Sequence, residues 1–195
     1  MVNKTNSCVF ISGNGTNLRS LIKSSRDYNF PIKIKLIISD NVNAKGLRFA
    51  KQYSIPYKFF PSENKEKFER NSLFEIKKNK IKFLCLAGFM KILSNNFIKS
   101  FGYKIINIHP SLLPDYPGLN THARALQAGD SEAGCTVHWV SEGVDEGDII
   151  RQARVPVKSG DTPATLANRV LEAEHRLYPQ ALAEACRYII ARQAS

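Results

Sequence analysis

The first clear pattern in the chain is an unbroken apolar run at 7–12, Ser7-Cys8-Val9-Phe10-Ile11-Ser12, closed by a Gly-containing turn. A short run bounded in this way predicts a buried strand. Runs at 34–39, 57–60, 81–87 and 104–108 predict four more. Between them, residues 17–26, 44–53 and 65–78 carry helical patterns, the last marked by Phe68, Leu73 and Ile76. Apolar runs alternating with helices predict βαβ units and a parallel sheet. After residue 108 the pattern changes. Pro110, Pro114 and Pro117 with Gly118 predict a long ordered loop. A helix at 122–128 follows, then strands at 135–140 and 149–155 whose short connection predicts antiparallel pairing. Pro163 suits the first turn of a last helix, or of two, reaching about residue 191, with Asp161 or Thr162 as cap. The predicted fold class is α/β: a Rossmann-like, mostly parallel central sheet with helices on both faces and a C-terminal antiparallel strand extension. Ligands of such sheets sit beyond the carboxyl ends of the strands. The loops after Ser12, Ala87 and Ile108 therefore form the candidate site.

Composition adds limits. A chain of 195 residues with 43% hydrophobic content can bury a real core as one domain over 1–195. No apolar run reaches the roughly 18 to 20 residues needed to span a bilayer. The first residues lack the pattern of a secretory signal, so a cytoplasmic location is expected. Cys8, Cys85, Cys135 and Cys186 are widely separated, with no CxxC pair or Cys/His cluster. Neither a metal site nor a disulfide framework is expected; Cys8 and Cys85 read as small buried hydrophobes.

Charge changes the picture more. Residues 1–110 hold 16 Lys and 4 Arg against 6 acids, a net +14, and residues 111–195 hold 1 Lys and 7 Arg against 11 acids, a net −3. Asn falls from 13 to 2 across the same point and Ala rises from 3 to 13. The lysines are scattered through helices and loops, which favours a solvated basic surface over a nucleic-acid face. No Pro/Gly/Ser-rich linker separates the halves. One reading is a hybrid join near residue 110; the other is drift within one gene.

Three segments carry candidate chemistry. Ser12-Gly13-Asn14-Gly15-Thr16-Asn17-Leu18 is a turn between strand and helix whose main-chain N–H groups suit a phosphate. It is neither a Walker A loop nor a full GxGxxG, and an ordinary βα turn capped by Asn or Thr would look similar. Asn107-Ile108-His109 ends a strand, so alternation sends Asn107 and His109 to one side. An amide donor beside an imidazole can stabilise an oxyanion and move a proton; a capping Asn and a structural His are the plainer alternative. Asp145 sits in a Gly-flanked loop, and a carboxylate beside His109 would favour the imidazolium. Spacing does not choose between Asp145, Glu146 and Asp148. His122 and His138 compete with His109, although His138, beside Trp139 in an apolar strand, reads as structural.

Together these segments resemble the folate-dependent phosphoribosylglycinamide formyltransferases of purine synthesis. The matching pieces are Ile11-Ser12-Gly13-Asn14-Gly15-Thr16-Asn17-Leu18, Leu86-Ala87-Gly88-Phe89-Met90-Lys91-Ile92-Leu93 and Asn107-Ile108-His109-Pro110-Ser111-Leu112-Leu113-Pro114. Tyr116-Pro117-Gly118-Leu119, Thr121-His122, Asp145 and Glu174-His175 continue the likeness. It covers nearly the whole chain in order. The resemblance implies transfer of a formyl group from 10-formyltetrahydrofolate, a cosubstrate, to the amine of glycinamide ribonucleotide through a tetrahedral intermediate, without a metal. It implies catalytic roles for Asn107, His109 and Asp145. It implies substrate contacts at Gly15, Thr16, Asn17, Leu171, Glu172, Ala173 and Glu174. It also implies folate contacts at Lys65, Met90, Lys91, Ile92, Leu93, Asn107, Ser141, Glu142, Gly143, Val144 and Asp145. Residues 1–108 would form the phosphate-binding half and 109–195 the folate-binding half. The family commonly has Arg where Lys91 stands and often Arg at Lys65, and Lys lacks the bidentate fork for a carboxylate.

Methionyl-tRNA formyltransferases and formyltetrahydrofolate deformylases share the Asn-x-His core and are the nearest rivals. The first usually adds a C-terminal RNA-binding domain and the second an N-terminal regulatory one; this chain resembles neither in those parts. A non-catalytic nucleic-acid module using the basic half is a rival of another class. The expected partners are small molecules, with no membrane and no nucleic acid, and the expected state is a monomer or weak homodimer.

Overall fold

The structure is a computed structural model that describes residues 4–102 and 104–194. β1 (Thr5–Ile11) is an inner strand of its sheet. Cys8 and Phe10 enter one apolar layer, while Val9 and Ile11 enter the other. Both faces of the strand are buried from Cys8 to Ile11, which is why that stretch is continuously apolar. β1 pairs in parallel with β2 (Ile32–Ser39) and, on its other side, with β4 (Phe83–Leu86). β3 (Tyr57–Phe59) extends β2 to an outer edge, and β5 (Lys104–His109) extends β4. β6 (Glu132–Trp139) joins β5 antiparallel, and β7 (Ile149–Pro156) joins β6 antiparallel. The seven strands run in the order β3-β2-β1-β4-β5-β6-β7.

Helices cover both faces. One layer takes α1 (Thr16–Ser25), α2 (Leu47–Gln52) and α6 (Pro163–Ala194), through residues such as Leu18, Leu21, Phe49 and Leu166. The other takes α3 (Lys65–Lys78) and α4 (Asn95–Phe101), through Phe68, Ile76, Phe97 and Phe101. Each such fully buried side chain contributes about 1.5–3 kcal/mol. α5 (Thr121–Ala128) packs against α6. The expected fold class is the observed one.

Details differ from the sequence pattern. α4 was not expected: seven residues are too short to show a period, and only Phe97 and Phe101 are buried on it. Its readable signals are its ends, Ser94 accepting from the Phe97 amide at 3.1 Å and Gly102 at φ 67. The last segment is one helix of 32 residues that runs through Pro179. Buried Tyr178 anchors it beside that proline, its hydroxyl 3.0 Å from the carbonyls of both Leu86 and Ile106. Thr162 is the cap, accepting from the Thr165 amide at 3.2 Å, whereas Asp161 is held by Arg169 at 2.6 Å. Among the described residues, no helix is long and apolar enough to cross a membrane.

The strand order reverses between β1 and β4, which opens a crevice at their carboxyl ends. Two bonds lace its walls: Ser12 N–H to the Gly88 carbonyl at 3.1 Å, and Met90 N–H to Ser12 Oγ at 2.9 Å.

Candidate active site

β5 ends in the crevice, with Asn107 opposite His138 and His109 opposite Thr136 on β6. His109 is buried at 5% exposure. Its Nδ1 lies 3.1 Å from Asp145 Oδ2 and its Nε2 lies 2.9 Å from the Tyr116 carbonyl. A carboxylate and a carbonyl can only accept, so both bonds form only when both ring nitrogens carry hydrogen. Asp145 also accepts from the Gly118 amide at 3.0 Å and from Asn107 Nδ2 at 3.4 Å. Burial pushes the Asp145 carboxyl upward. Hydrogen bonding to His138 and the Gly118 amide, together with the two imidazoles, outweighs burial, and its pKa falls below the usual value.

His138 completes the cluster. Its Nδ1 donates to the Trp139 carbonyl at 2.9 Å, and its Nε2 sits 3.2 Å from Asn107 Nδ2 and 3.5 Å from Asp145 Oδ1. Nε2 can serve one neighbour at a time. It accepts from Asn107 when bare, or donates to Asp145 when the ring is doubly protonated. The Asn107 amide nitrogen thus faces His138 and Asp145, and the longer bond, to Asp145, is the one more readily exchanged for a ligand.

The loop after β5 holds these groups from outside. Thr136 Oγ1 donates to the Ser111 carbonyl at 2.7 Å and accepts from the Leu113 amide at 3.0 Å. Gln152 donates to Thr136 Oγ1 at 2.9 Å and to the Leu113 carbonyl at 2.8 Å. Ser111 Oγ donates to the Asp115 carbonyl at 2.6 Å. Tyr116, at φ 55, turns its carbonyl onto His109. That carbonyl covers the one imidazole nitrogen not held by Asp145.

Asp145 has φ 57, a left-handed turn that aims its side chain inward. Glu146 and Asp148 are exposed. Of the three acids that spacing left open, Asp145 is the one that reaches His109. His122 lies on α5, with its pKa lowered by burial and by the nearby His109 charge.

The second part of the site is the turn after β1. Gly15, at φ 69, is the N-cap of α1, and among the described residues no side-chain hydrogen bond caps that end. The amides of the first turn are thus open to an anion. A Cβ on Gly15 would lie 2.5 Å from Gly46 Cα, so the close approach of two backbones requires glycine. Asn17 is buried and donates from Nδ2 to Glu174 Oε2 at 2.6 Å; its Oδ1 has no partner among the described residues. Burial raises the Glu174 pKa to about 7 against the opposing bond from Asn17. Ala173 is buried, Leu171 half-buried and Glu172 exposed on α6.

Of the residues expected to wall a folate pocket, Met90 at 68%, Ile92 at 64% and Val144 at 46% expose apolar surface. Lys91 and Lys65 are exposed cations. Leu93 is buried in the core on the α3/α4 face, which leaves its main chain rather than its side chain for a ligand. Glu142 is tied to Lys99 at 3.1 Å and to Asn95 at 3.1 Å, fixing the loop of Ser141 and Gly143 to α4. His138 and Thr136 are the members that sequence reasoning undervalued. Their signal is the β5–β6 register, which sets them opposite Asn107 and His109.

A Rossmann-like sheet with an Asn–His–Asp cluster at the carboxyl end of β5 and an open helix end after β1 has the layout of an enzyme of the α/β class. The family described as formyl transferase matches residues 5–182, and the chain belongs to that family. It is 43% identical over 177 residues to the phosphoribosylglycinamide formyltransferase of Haemophilus influenzae, covering 88% of this chain and 82% of that one. A crystal structure of phosphoribosylglycinamide formyltransferase from Brucella melitensis superposes with a TM-score of 0.90 at 46% identity, covering 94% of this chain and 96% of that one. The trifunctional purine biosynthetic protein adenosine-3 of Gallus gallus is 45% identical over 183 residues, which are 92% of this chain but 18% of that protein.

Proposed function

We propose that the chain transfers the formyl group of 10-formyltetrahydrofolate to the amine of glycinamide ribonucleotide, a step of de novo purine biosynthesis. The observation that carries this function is the Asn107–His109–Asp145 cluster, with His109 held between two acceptors. Gly15, Thr16 and Asn17 would receive the substrate phosphate at the uncapped helix end. Glu174 and the unpartnered Asn17 Oδ1 would accept from substrate donors, beside Leu171, Glu172 and Ala173. Met90, Ile92, Val144 and the loop of Ser141, Glu142 and Gly143 would hold the folate ring, with Lys91 or Lys65 toward its carboxylates. The folate, when bound, supplies an activated formyl carbon.

Asn107 would turn its Nδ2 hydrogen from the 3.4 Å contact with Asp145 to the formyl oxygen as negative charge develops there. His109 would exchange the Tyr116 carbonyl for the reacting centre. The substrate amine bonds to the formyl carbon, the bond from that carbon to the folate nitrogen breaks, and His109 protonates the departing nitrogen. The proton lost by the amine returns through a water ordered by Asp145. A general acid so placed contributes about 10²–10⁴-fold. The enzyme would act as one unit over 1–195, in the cytoplasm, as a monomer or weak homodimer. The composition step near residue 110 fits a hybrid join, which a smooth base-composition profile along the coding DNA would contradict.

An assay with glycinamide ribonucleotide and 10-formyltetrahydrofolate tests the function. Turnover is expected; no turnover, paired with formylation of charged initiator tRNA, would replace the substrate assignment.

A further inference from the structure

Away from the crevice, α2 and the edge strand β3 enclose an open groove of about 460 Å³. One wall is aromatic. Tyr57 and Phe59 stand on the same face of β3, 39% and 38% exposed, while Lys58 between them turns to Glu75, 3.7 Å away. The other wall is cationic. Lys45, Arg48 and Lys51 recur at three-residue spacing, all exposed, with Asn43 and Val42 beside them. Among the described residues, no carboxylate lines the groove. Among the described residues, none of the three cations enters an ion pair. Arg48 Cζ lies 4.8 Å from the centroid of the Phe49 ring, a cation–π contact.

The three cations lie off the face by which α2 packs. α2 buries Leu47, Phe49 and Ala50 instead. A bare anion would engage the cations and leave the rings in water; an apolar ligand would do the reverse. A ligand that uses both walls has a flat ring joined to several negative charges, and the volume lies in the range of small-ligand sites. A nucleic-acid strand would need cations continuing beyond the groove, whereas, among the described residues, its own lining offers only Lys45, Arg48 and Lys51 as cations. We propose that the groove between α2 and β3 binds a nucleoside polyphosphate, its base on Tyr57 and Phe59 and its phosphates on Lys45, Arg48 and Lys51. The site is distinct from the substrate turn but adjoins it: Gly46, between Lys45 and Leu47, donates to the Gly13 carbonyl at 3.0 Å.

Titration calorimetry of the full chain tests this with ATP, adenosine and tripolyphosphate as separate probes. One ATP is expected to bind, with adenosine and tripolyphosphate each at least about tenfold weaker. The double variant Arg48→Glu, Lys51→Glu is expected to weaken ATP at least tenfold and to leave the formyl-transfer rate unchanged. Tyr57→Ala with Phe59→Ala is expected to weaken ATP but not tripolyphosphate. Five results would overturn the site: no binding at millimolar ATP; undiminished binding after charge reversal; tripolyphosphate binding as tightly as ATP; displacement of ATP by glycinamide ribonucleotide, which places it on the substrate turn; or tighter, salt-sensitive binding of a single-stranded oligonucleotide.

Discussion

Asn17 with Glu174 and Asn107 with Asp145 are the same chemical pair, an amide of the lysine-rich half against a carboxyl of the alanine-rich half, yet the two carboxyls shift in opposite directions. Glu174 receives one bond from Asn17 in a buried setting, and its pKa rises to about 7. Asp145 is also desolvated, but Gly118, Asn107 and two histidines surround it, and its pKa falls. Burial alone neutralises a carboxyl; enough donors and positive charge reverse the sign. The ionised junction is suited to holding a charged imidazole. The other, partly neutral near pH 7, is suited to exchanging hydrogen bonds with a substrate.

The largest effects are expected at the ionised junction. His109→Ala and Asp145→Ala should each lower kcat by about 10²–10⁴-fold in the formyl-transfer assay. Near-normal rates for either would remove that residue from the mechanism. Glu174→Gln should act mainly on KM for the ribonucleotide, with kcat changed far less; equal losses at both junctions would erase the distinction.

Stability separates the two acids further. A Glu whose folded pKa is raised from 4.5 to about 7 binds more protons in the native state than in the unfolded state across that window. Its contribution is fully present below pH 4.5, is lost as pH rises, and levels off above about pH 7. The total is on the order of 3 kcal/mol. Relative to Glu174→Gln, the protein should therefore lose stability from pH 5 to 8 in thermal unfolding. Asp145 has the opposite sign: its contribution is present above the unfolded pKa and is lost as pH falls through the folded one. Glu174→Gln showing no pH-dependent difference would place an ionised Glu174 in the native state.

A smaller effect is expected from the support of the cluster. Thr136→Val removes the hydroxyl that joins Ser111, Leu113 and Gln152. Urea unfolding should report a loss of about 1–3 kcal/mol, with kcat reduced less than in His109→Ala. An unchanged kcat and stability would show that the proline loop holds itself.

Much of the sheet was legible because strands buried on both faces write continuous apolar runs, as in β1 and β4. Asn107 and His109 were legible by alternation. Asp145 was not separable from Glu146 and Asp148 by spacing, because a single residue at φ 57 decides which acid points inward. His138 escaped because its partner on β5, Asn107, depends on the register between antiparallel strands, and the long proline loop hides that register. Glu174 lay 157 residues from its partner Asn17, a distance no local pattern bridges.

The contrast between the junctions is most directly tested by carboxyl ¹³C NMR titration, with Glu174→Gln and Asp145→Asn assigning the two signals. Glu174 should titrate near pH 7 and Asp145 below the ordinary value of 3.8. A Glu174 signal that titrates at or below 4.5, or an Asp145 signal that titrates above 3.8, would contradict the account.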